Sequence, residues 1–271
     1  MEWFTSIAGV RVPKIIYGTA WKKSATAGLV AAALKHGFRG IDTACQPKHY
    51  DEPGVGAALK NRQDLFLQTK YTPLSGQDPD RIPYDAQAPI AEQVAQSCAV
   101  SLENLQTDYI DSLVLHSPLP SAKQTQEAWH AMEALVDSGK VRQIGISNCY
   151  QLPLLESLYE RARIKPAVVQ NRFYADTRFD TSLRAWCRRQ HIIYQSFWTL
   201  TANPKALTSA TLTQLSAKYE RTAPQILFRY LTQLDVAPLT GTSSEQHMQE
   251  DLAIFEFQLD AAEIEALTSL F

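Results

Sequence analysis

Eight short apolar runs rich in β-branched residues alternate with longer segments of helical periodicity along this chain. Such alternation is typical of βαβ units, in which parallel strands are joined by crossover helices. Eight units within 271 residues fit a closed (β/α)₈ barrel better than an open, doubly wound sheet. The predicted fold class is therefore α/β, with a single TIM barrel that forms one domain over residues 1–271.

The loops between these runs support a barrel. The strand candidates are 15–20, 38–44, 64–71, 109–117, 141–148, 167–173, 192–197 and 236–241, and the helix candidates are 24–36, 90–105, 125–138, 151–162 and 223–233. An open dinucleotide-binding sheet would have GxGxxG after its first strand, whereas the turn here reads GTAWKKSA. The proline content of residues 72–89 predicts an ordered, non-helical loop. This loop should overhang the C-terminal mouth of the barrel, where active sites of this fold lie.

The composition excludes several classes of partner. With 45% hydrophobic and 20% charged residues, the chain can bury a large core. A net charge of −2 gives no electrostatic reason to bind nucleic acid or an anionic membrane. We find no signal-peptide pattern and no apolar stretch near the ~20 residues that span a bilayer. Four scattered cysteines indicate reduced thiols, so we expect a cytoplasmic protein without a metal site.

Asp42, Tyr50, Lys70 and His116 each lie at the end of a predicted strand or just beyond it. The three strands concerned are neighbours in a barrel, so their ends should converge on one side of the mouth. A free phenol titrates near pH ~10, but a neighbouring ammonium lowers its pKa, and a carboxylate can hold that ammonium in place. Such a set can protonate a carbonyl oxygen while hydride arrives at the carbonyl carbon.

The sequence also resembles the aldo-keto reductase family over nearly its whole length. The resemblance runs from GTAW at 18–21 to EDL at 250–252, and IDTA, QTK, LVLH, GISN, VVQNRF and SFWTL occur in the family's order. It implies NAD(P)H-dependent reduction of an aldehyde or ketone, with Tyr50 as the proton donor. In this reading Lys70 and Asp42 lower the pKa of the phenol, and His116 orients or polarises the substrate carbonyl.

The resemblance also implies which residues bind the nicotinamide cofactor. The implied set comprises Thr19, Asp42, Ser147, Asn148, Gln170, Phe197, Leu200, Thr242, Ser243, His247, Glu250 and Asp251. Ser147, Asn148 and Gln170 would hydrogen-bond the carboxamide, because their side chains have donors and acceptors of fixed direction. Phe197 would stack on the nicotinamide ring, with Trp198 as the alternative aromatic residue.

Simpler roles remain open for part of this set. Ser147 and Asn148 are also compatible with an N-cap of the following helix. Thr242 and Ser243 precede a short helix whose N-terminal amides suit the adenosine phosphate, with Glu250 against the adenine. A solvated helix start with capping residues is the alternative there.

One segment departs from the family pattern. Asp42 and Tyr50 are eight positions apart, three more than the family's usual spacing. Pro47 occupies the usual position of the acid and has no proton to donate. The segment QPKHY must therefore loop outward and return the phenol to the mouth, with His49 as the alternative acid.

The cofactor preference follows from a second departure. Gly241 and His247 stand where many NADPH-preferring relatives carry a Lys and an Arg around the 2′-phosphate. The loss of two cations removes charge-assisted contacts with the phosphate. NADPH remains the predicted cofactor, with NADH or dual use as alternatives.

The substrate pocket is predicted to include Trp21, His116 and Trp198, although Trp21 is equally compatible with a place in the core. Ser117 stands where many relatives have an aromatic residue. The chain also stops at Phe271, without the C-terminal tail that longer relatives fold over the substrate. We therefore expect an open site that accepts bulky carbonyl compounds.

Three functions fit these features. The leading hypothesis is a monomeric enzyme that reversibly reduces a small-molecule carbonyl compound. One alternative is a nicotinamide-binding regulatory or redox-sensing subunit with slow turnover. The other is a non-reductive biosynthetic enzyme that uses the same acid. The intact set of four polar residues favours the reductase.

Overall fold

A computed structural model describes residues 2–59, 62 and 64–271 of the chain. Its strands are β1 (Trp3–Thr5), β2 (Arg11–Pro13), β3 (Ile16–Gly18), β4 (Gly40–Asp42), β5 (Phe66–Tyr71), β6 (Ile110–Leu115), β7 (Val141–Ser147), β8 (Val168–Arg172), β9 (Ile193–Phe197) and β10 (Val236–Thr240). Strands β3 to β10 pair in parallel in chain order, and β10 returns to β3 to close a barrel. Each of the eight predicted ranges contains one barrel strand, so the (β/α)₈ prediction is confirmed.

Helices surround the barrel. They are α1 (Thr26–His36), α2 (Glu52–Ala58), α3 (Ile90–Asn104), α4 (Ala122–Asp137), α5 (Leu152–Arg161), α6 (Thr181–Arg189), α7 (Pro204–Leu207), α8 (Ala210–Tyr219), α9 (Ala223–Gln233), α10 (Glu245–Leu252) and α11 (Ala261–Thr268). The five predicted helices correspond to α1, α3, α4, α5 and α9. Helices α2, α6, α7 and α8 had no predicted counterpart. No helix within the described residues is long and apolar enough to cross a bilayer.

Helix α2 shows why a short helix can escape prediction. Its sequence EPGVGAA contains a proline and two glycines, which favour turns over helices. Gly56 is nonetheless required, because a Cβ there would collide with the carbonyl oxygen of Asn104 at the end of α3. The close packing of α2 on α3 therefore selects a residue that lowers the local helix propensity.

The bottom of the barrel is apolar and is closed by the antiparallel pair β1–β2, which the sequence did not predict. Val12 of β2 packs against inward-facing residues of the barrel strands. These are Ile16, Phe66, Val168, Ile193 and Ala237. The residue two positions further along β5, β8 and β9 is a glutamine in each case, so a polar layer lies above this apolar one.

The outer core lies between the barrel and its helices. Trp129 of α4 is fully buried there, and its indole Nε1 donates to the carbonyl oxygen of Ile164 at 3.1 Å. This bond satisfies the one polar atom of a large apolar side chain. The four cysteines are buried free thiols.

Asp251 of α10 connects that helix to β10. Its carboxylate is buried, and Thr240 Oγ1 donates to Oδ2 at 2.7 Å. Burial raises the pKa of Asp251 from 3.8 to about 6, because the carboxylate loses hydration that one hydroxyl does not replace. The contribution of this group to stability is therefore present below pH 3.8 and is lost as the pH rises through about 6.

The substitution Asp251→Asn should stabilise the fold at pH 8 by about 2 kcal/mol, because it removes a buried charge and keeps an acceptor for Thr240. At pH 4 the effect should nearly vanish. Thermal unfolding at both pH values measures the difference, with the exposed Asp108→Asn as the control. An equal shift of Tm at pH 4 and pH 8 would contradict the assignment.

Candidate active site

A buried ion pair forms the base of the site. Lys70 Nζ lies 2.7 and 2.6 Å from the two carboxylate oxygens of Asp42, and it donates to the Thr43 carbonyl oxygen at 2.8 Å. Lys70 and Asp42 are 1% and 2% exposed. Burial lowers the pKa of Lys70, and the charge of Asp42 opposes that shift. The three hydrogen bonds use all three protons of the ammonium group.

Asp42 is held from a second side by the glutamine layer. Its Oδ1 accepts from Gln68 Nε2 at 2.8 Å and from Gln170 Nε2 at 3.0 Å. Both amides also donate to Gln195 Oε1, at 2.7 and 2.9 Å. The sequence analysis did not name Gln68 or Gln195. The sequence offered one clue for Gln68: it lies two residues before Lys70 on the same strand, so both side chains share the inward face.

The segment between Asp42 and Tyr50 continues beside β5 as far as Cys45 and then makes one tight turn. The carbonyl oxygen of Gln46 accepts the backbone N–H groups of His49 and Tyr50, both at 3.0 Å. Gln46 Nε2 donates to the carbonyl oxygen of Gly76 at 2.6 Å. On the other side, the backbone N–H of Trp21 donates to the His49 carbonyl oxygen at 2.7 Å. Contacts with two neighbouring loops thus bring the chain back to the mouth.

The residues after Tyr50 hold its other end. Asp51 caps α2 by accepting a backbone N–H at 3.0 Å. Glu52 is buried, and its Oε1 accepts from Thr69 Oγ1 at 2.5 Å and from Ser101 Oγ at 2.9 Å. Burial raises the pKa of Glu52. Tyr50 therefore stands between a closed turn and a helix start that is anchored to β5 and α3.

The structure brings the four predicted residues together. The rings of Tyr50 and His116 meet edge to face with centroids 6.0 Å apart, and Lys70 Nζ lies 5.5 Å from the Tyr50 ring centroid. Burial and the negative charge of Asp42 raise the pKa of the Tyr50 phenol above its ordinary value. The net shift is upward, so the expected lowering of the Tyr50 pKa by Lys70 and Asp42 is not observed, because burial and the charge of Asp42 dominate.

His116 is neutral in this site. Burial and the charge of Lys70 lower its pKa to about 3. Its Nδ1 lies 2.7 Å from Thr72 Oγ1, and its carbonyl oxygen accepts from Asn148 Nδ2 at 2.8 Å. Thr72 was not named from the sequence, although it follows Lys70 by two positions in TKYTP. One ring nitrogen is thus engaged by a hydroxyl group.

The predicted carboxamide-binding residues lie at adjacent strand ends. Ser147 Oγ donates to the carbonyl oxygen of Gln170 at 2.6 Å. Asn148 has a left-handed backbone with φ 53°, and its Oδ1 accepts from Tyr150 Oη at 3.1 Å. The N-cap of α5 is Gln151, so neither Ser147 nor Asn148 caps that helix. The capping alternative is therefore wrong.

Aromatic residues line two parts of the mouth. Phe197 ends β9 and is partly buried, whereas Trp198 has φ 58° and is 51% exposed. Leu200 packs between the two main core clusters. Trp21 is 63% exposed and stacks on the His49 ring with centroids 3.7 Å apart, so its placement in the core is wrong.

The predicted phosphate segment follows β10. Thr242 accepts from Tyr17 Oη through its carbonyl oxygen at 2.8 Å and from the Ser244 N–H through Oγ1 at 3.1 Å. Ser244, rather than Ser243, caps α10. Lys22, which the sequence analysis did not single out, donates to the carbonyl oxygen of Gly241 at 2.7 Å. A cation therefore lies beside this segment.

The remaining predicted cofactor residues differ in accessibility. Ser243 and His247 are exposed, and Glu250 is partly buried with its Oε1 accepting from Gln246 at 2.7 Å. Thr19 is buried and donates to the Asp42 carbonyl oxygen at 3.0 Å. Asp251 is buried against Thr240, so its visible role is structural.

Comparison with known proteins agrees with this geometry. The sequence model of the Aldo/keto reductase family matches residues 14–201. The chain is 31% identical to the glyoxal reductase of Bacillus subtilis (strain 168), covering 100% of this chain and 89% of that relative. It is 28% identical to the NADPH-dependent alpha-keto amide reductase of Saccharomyces cerevisiae, and the match covers 99% of this chain and 90% of that relative.

A solved structure shows the same architecture. The chain superposes on an aldo/keto reductase from Brucella melitensis with a TM-score of 0.84 and 28% identity, covering 100% of this chain and 99% of that one. The similarity therefore extends over the barrel and its loops. Together with the four residues gathered at the mouth, these matches place the protein in the aldo/keto reductase family, as an NAD(P)H-dependent carbonyl oxidoreductase.

Proposed function

We propose that the protein reduces an aldehyde or ketone with NADPH, and that Tyr50 donates the proton to the carbonyl oxygen. When bound, the nicotinamide supplies the hydride that adds to the carbonyl carbon. The supporting observation is the contact of the Tyr50 ring with His116 and Lys70 over the buried Asp42. The reverse reaction uses the same groups, with Tyr50 accepting the proton.

A raised pKa does not disqualify Tyr50 as the acid. It keeps the phenol protonated throughout the physiological range. A carbonyl oxygen that accepts hydride gains the negative charge of an alkoxide, which is a strong base. A protonated phenol can therefore transfer its proton to that oxygen. Lys70 then stabilises the negative charge that develops on Tyr50.

His116 is assigned to the same carbonyl oxygen. Because its pKa is about 3, the imidazole is neutral and carries one ring proton. In the proposed tautomer Thr72 Oγ1 donates to Nδ1, which leaves the proton on Nε2 to face the mouth. A neutral donor polarises the carbonyl without competing with Tyr50 to deliver a full proton.

The residues at the strand ends fit a nicotinamide carboxamide. The Gln170 amide group uses Nε2 to donate to Asp42 and Gln195, so Oε1 is the acceptor left for a ligand N–H. Asn148 and Ser147 lie beside it on the neighbouring strand end. In this assignment Phe197 provides the aromatic face for the ring.

NADPH is the proposed cofactor, and the phosphate end is assigned to the segment after β10. Thr242 and Ser243 precede the N-terminus of α10, with Lys22 beside Gly241 as a nearby cation. His247 and Glu250 complete the proposed contacts from the same helix. We further propose one domain over residues 1–271, a monomer, and a cytoplasmic location.

Replacement of Tyr50 by Phe should reduce kcat by ~10²–10⁴, because the hydroxyl proton is lost while the ring remains. NADPH should still bind. Stopped-flow oxidation of NADPH by glyoxal and a panel of aldehydes measures turnover, and fluorescence titration measures binding. Tyr159→Phe on α5 is the matched control. Near-normal turnover in the Tyr50 variant would show that Tyr50 is not the proton donor.

Thr72→Val should lower kcat by about 10-fold, because the imidazole loses the hydroxyl that selects its tautomer. Thr72→Ser should restore most of the activity. In the unmodified protein, kcat should show no inflection from His116 between pH 5 and 8, since the imidazole pKa is about 3. An inflection near pH 6.5 that Thr72→Val shifts would show that His116 titrates during turnover.

Turnover with NADPH should exceed turnover with NADH at equal concentrations, because Lys22 adds a cation beside the proposed phosphate segment. Lys22→Gln should raise the Kd of NADPH. Lys205→Gln, on α7, is the control for the loss of one positive charge. A clear preference for NADH in the unmodified protein would overturn the choice of cofactor.

A further inference from the structure

Arg172 projects from the last position of β8 at the mouth of the barrel. It follows Gln170 by two positions, so it shares the inward face of the strand, and it pairs in register with Phe197 of β9. Its guanidinium carbon lies 4.1 Å from the Trp198 ring centroid and 5.2 Å from that of Tyr174. The sequence analysis did not single out this residue, although it lies within VVQNRF.

The charge of Arg172 has no anionic partner among the described residues, and its Nε is buried without a hydrogen-bond acceptor. Other arginines with limited exposure have acceptors: Arg62 pairs with Asp111, Arg229 pairs with Glu2, and Arg184 donates to the carbonyl oxygen of Phe179. A cation held only against aromatic rings keeps its in-plane donors unsatisfied, which is costly where water is partly excluded. A ligand group that accepts hydrogen bonds from the guanidinium would remove this cost.

Arg172 belongs to the rim that carries the catalytic residues. Its backbone N–H donates to Tyr150 Oη at 3.3 Å, and Tyr150 donates to Asn148 Oδ1 at 3.1 Å. Asn148 Nδ2 in turn donates to the carbonyl oxygen of His116 at 2.8 Å. These hydrogen bonds link the backbone of Arg172 to the backbone of His116, so the strand end that carries the arginine is tied to the strand end that carries the imidazole.

We propose that Arg172 binds a carboxylate on the substrate, so that the preferred substrates are carbonyl compounds carrying an acidic group. The proposal rests on the reductase function proposed above. A guanidinium donates two parallel hydrogen bonds to a carboxylate, and Trp198 and Tyr174 provide apolar walls for the rest of the molecule.

The cofactor phosphates are the other possible source of an anion. Their proposed segment lies after β10 with Lys22, whereas Arg172 lies at the end of β8 beside Gln170, where the carboxamide is assigned. This separation favours the substrate as the source of the anion. Measurements with and without substrate distinguish the two sources.

A matched pair of substrates tests the proposal. 4-Formylbenzoate and its methyl ester carry the same aldehyde and differ in the charge at the far end of the ring. Arg172→Gln should raise the KM for 4-formylbenzoate by about 10-fold or more, the usual effect of losing a charge-assisted contact. The KM for the ester should change by less than about twofold, because the ester has no charge to pair with the guanidinium. The KM of Arg172→Lys for 4-formylbenzoate should lie between those of the unmodified protein and Arg172→Gln. Arg189→Gln, an exposed position on α6, controls for net charge.

Three outcomes would overturn the proposal. These are an equal rise in KM for acid and ester, an unchanged KM for the acid, and a raised Kd for NADPH without substrate, which would assign Arg172 to a phosphate. Calorimetry with the product 4-(hydroxymethyl)benzoate, in the presence of NADP⁺, measures carboxylate binding independently of turnover. If the unmodified protein reduces neither these two aldehydes nor glyoxal and the aldehyde panel, the reductase function fails, and this calorimetric comparison still decides the role of Arg172.

Discussion

The buried ion pair between Asp42 and Lys70 is the constraint on which the rest of the site depends. Removing two charges from water costs several kcal/mol per ion, and only close contact with further hydrogen bonds offsets that cost. The Thr43 carbonyl oxygen accepts the third proton of the ammonium group, and the Gln68 and Gln170 amides donate to the carboxylate. A polar layer therefore crosses a barrel interior that would otherwise be apolar. With Gln195, the members of this layer come from β4, β5, β8 and β9, so the layer links strands across the barrel.

Tyr50 reaches this pair by a route that local hydrogen bonding makes rigid. Without further contacts, the three extra residues between Asp42 and Tyr50 would lengthen the loop and leave the position of the phenol undefined. Gln46 closes the excursion into a single turn, and the buried carboxyl of Glu52 anchors the chain beyond it. Tyr50, the proposed acid, therefore lies at the mouth although its spacing from Asp42 in the sequence is unusual. His49, placed outward by the same turn, becomes a stacking partner of Trp21.

Much of the architecture was predictable because it depends on local patterns. Each β-branched run became a barrel strand, and the polar residues at successive strand ends met, since parallel strands direct their C-terminal ends to one face. Helix α2 was missed because its glycine serves packing on α3 and opposes local propensity. Thr72, Gln68, Gln195 and Arg172 were missed because each acts through a partner on another strand, which strand periodicity alone does not identify.

The sequence by itself determined the eightfold alternation, the family and the identity of the four catalytic candidates, because these depend on residue type, order and spacing. Only the tertiary structure decided their pKa values and therefore their protonation. Burial leaves His116 neutral and Tyr50 a weaker acid than a free phenol, since desolvation depends on what surrounds a group in space. Among the described residues, Arg172 likewise has aromatic rings and no carboxylate beside it, because the residues facing it come from the end of β9, the turn after β9 and the loop beyond β8.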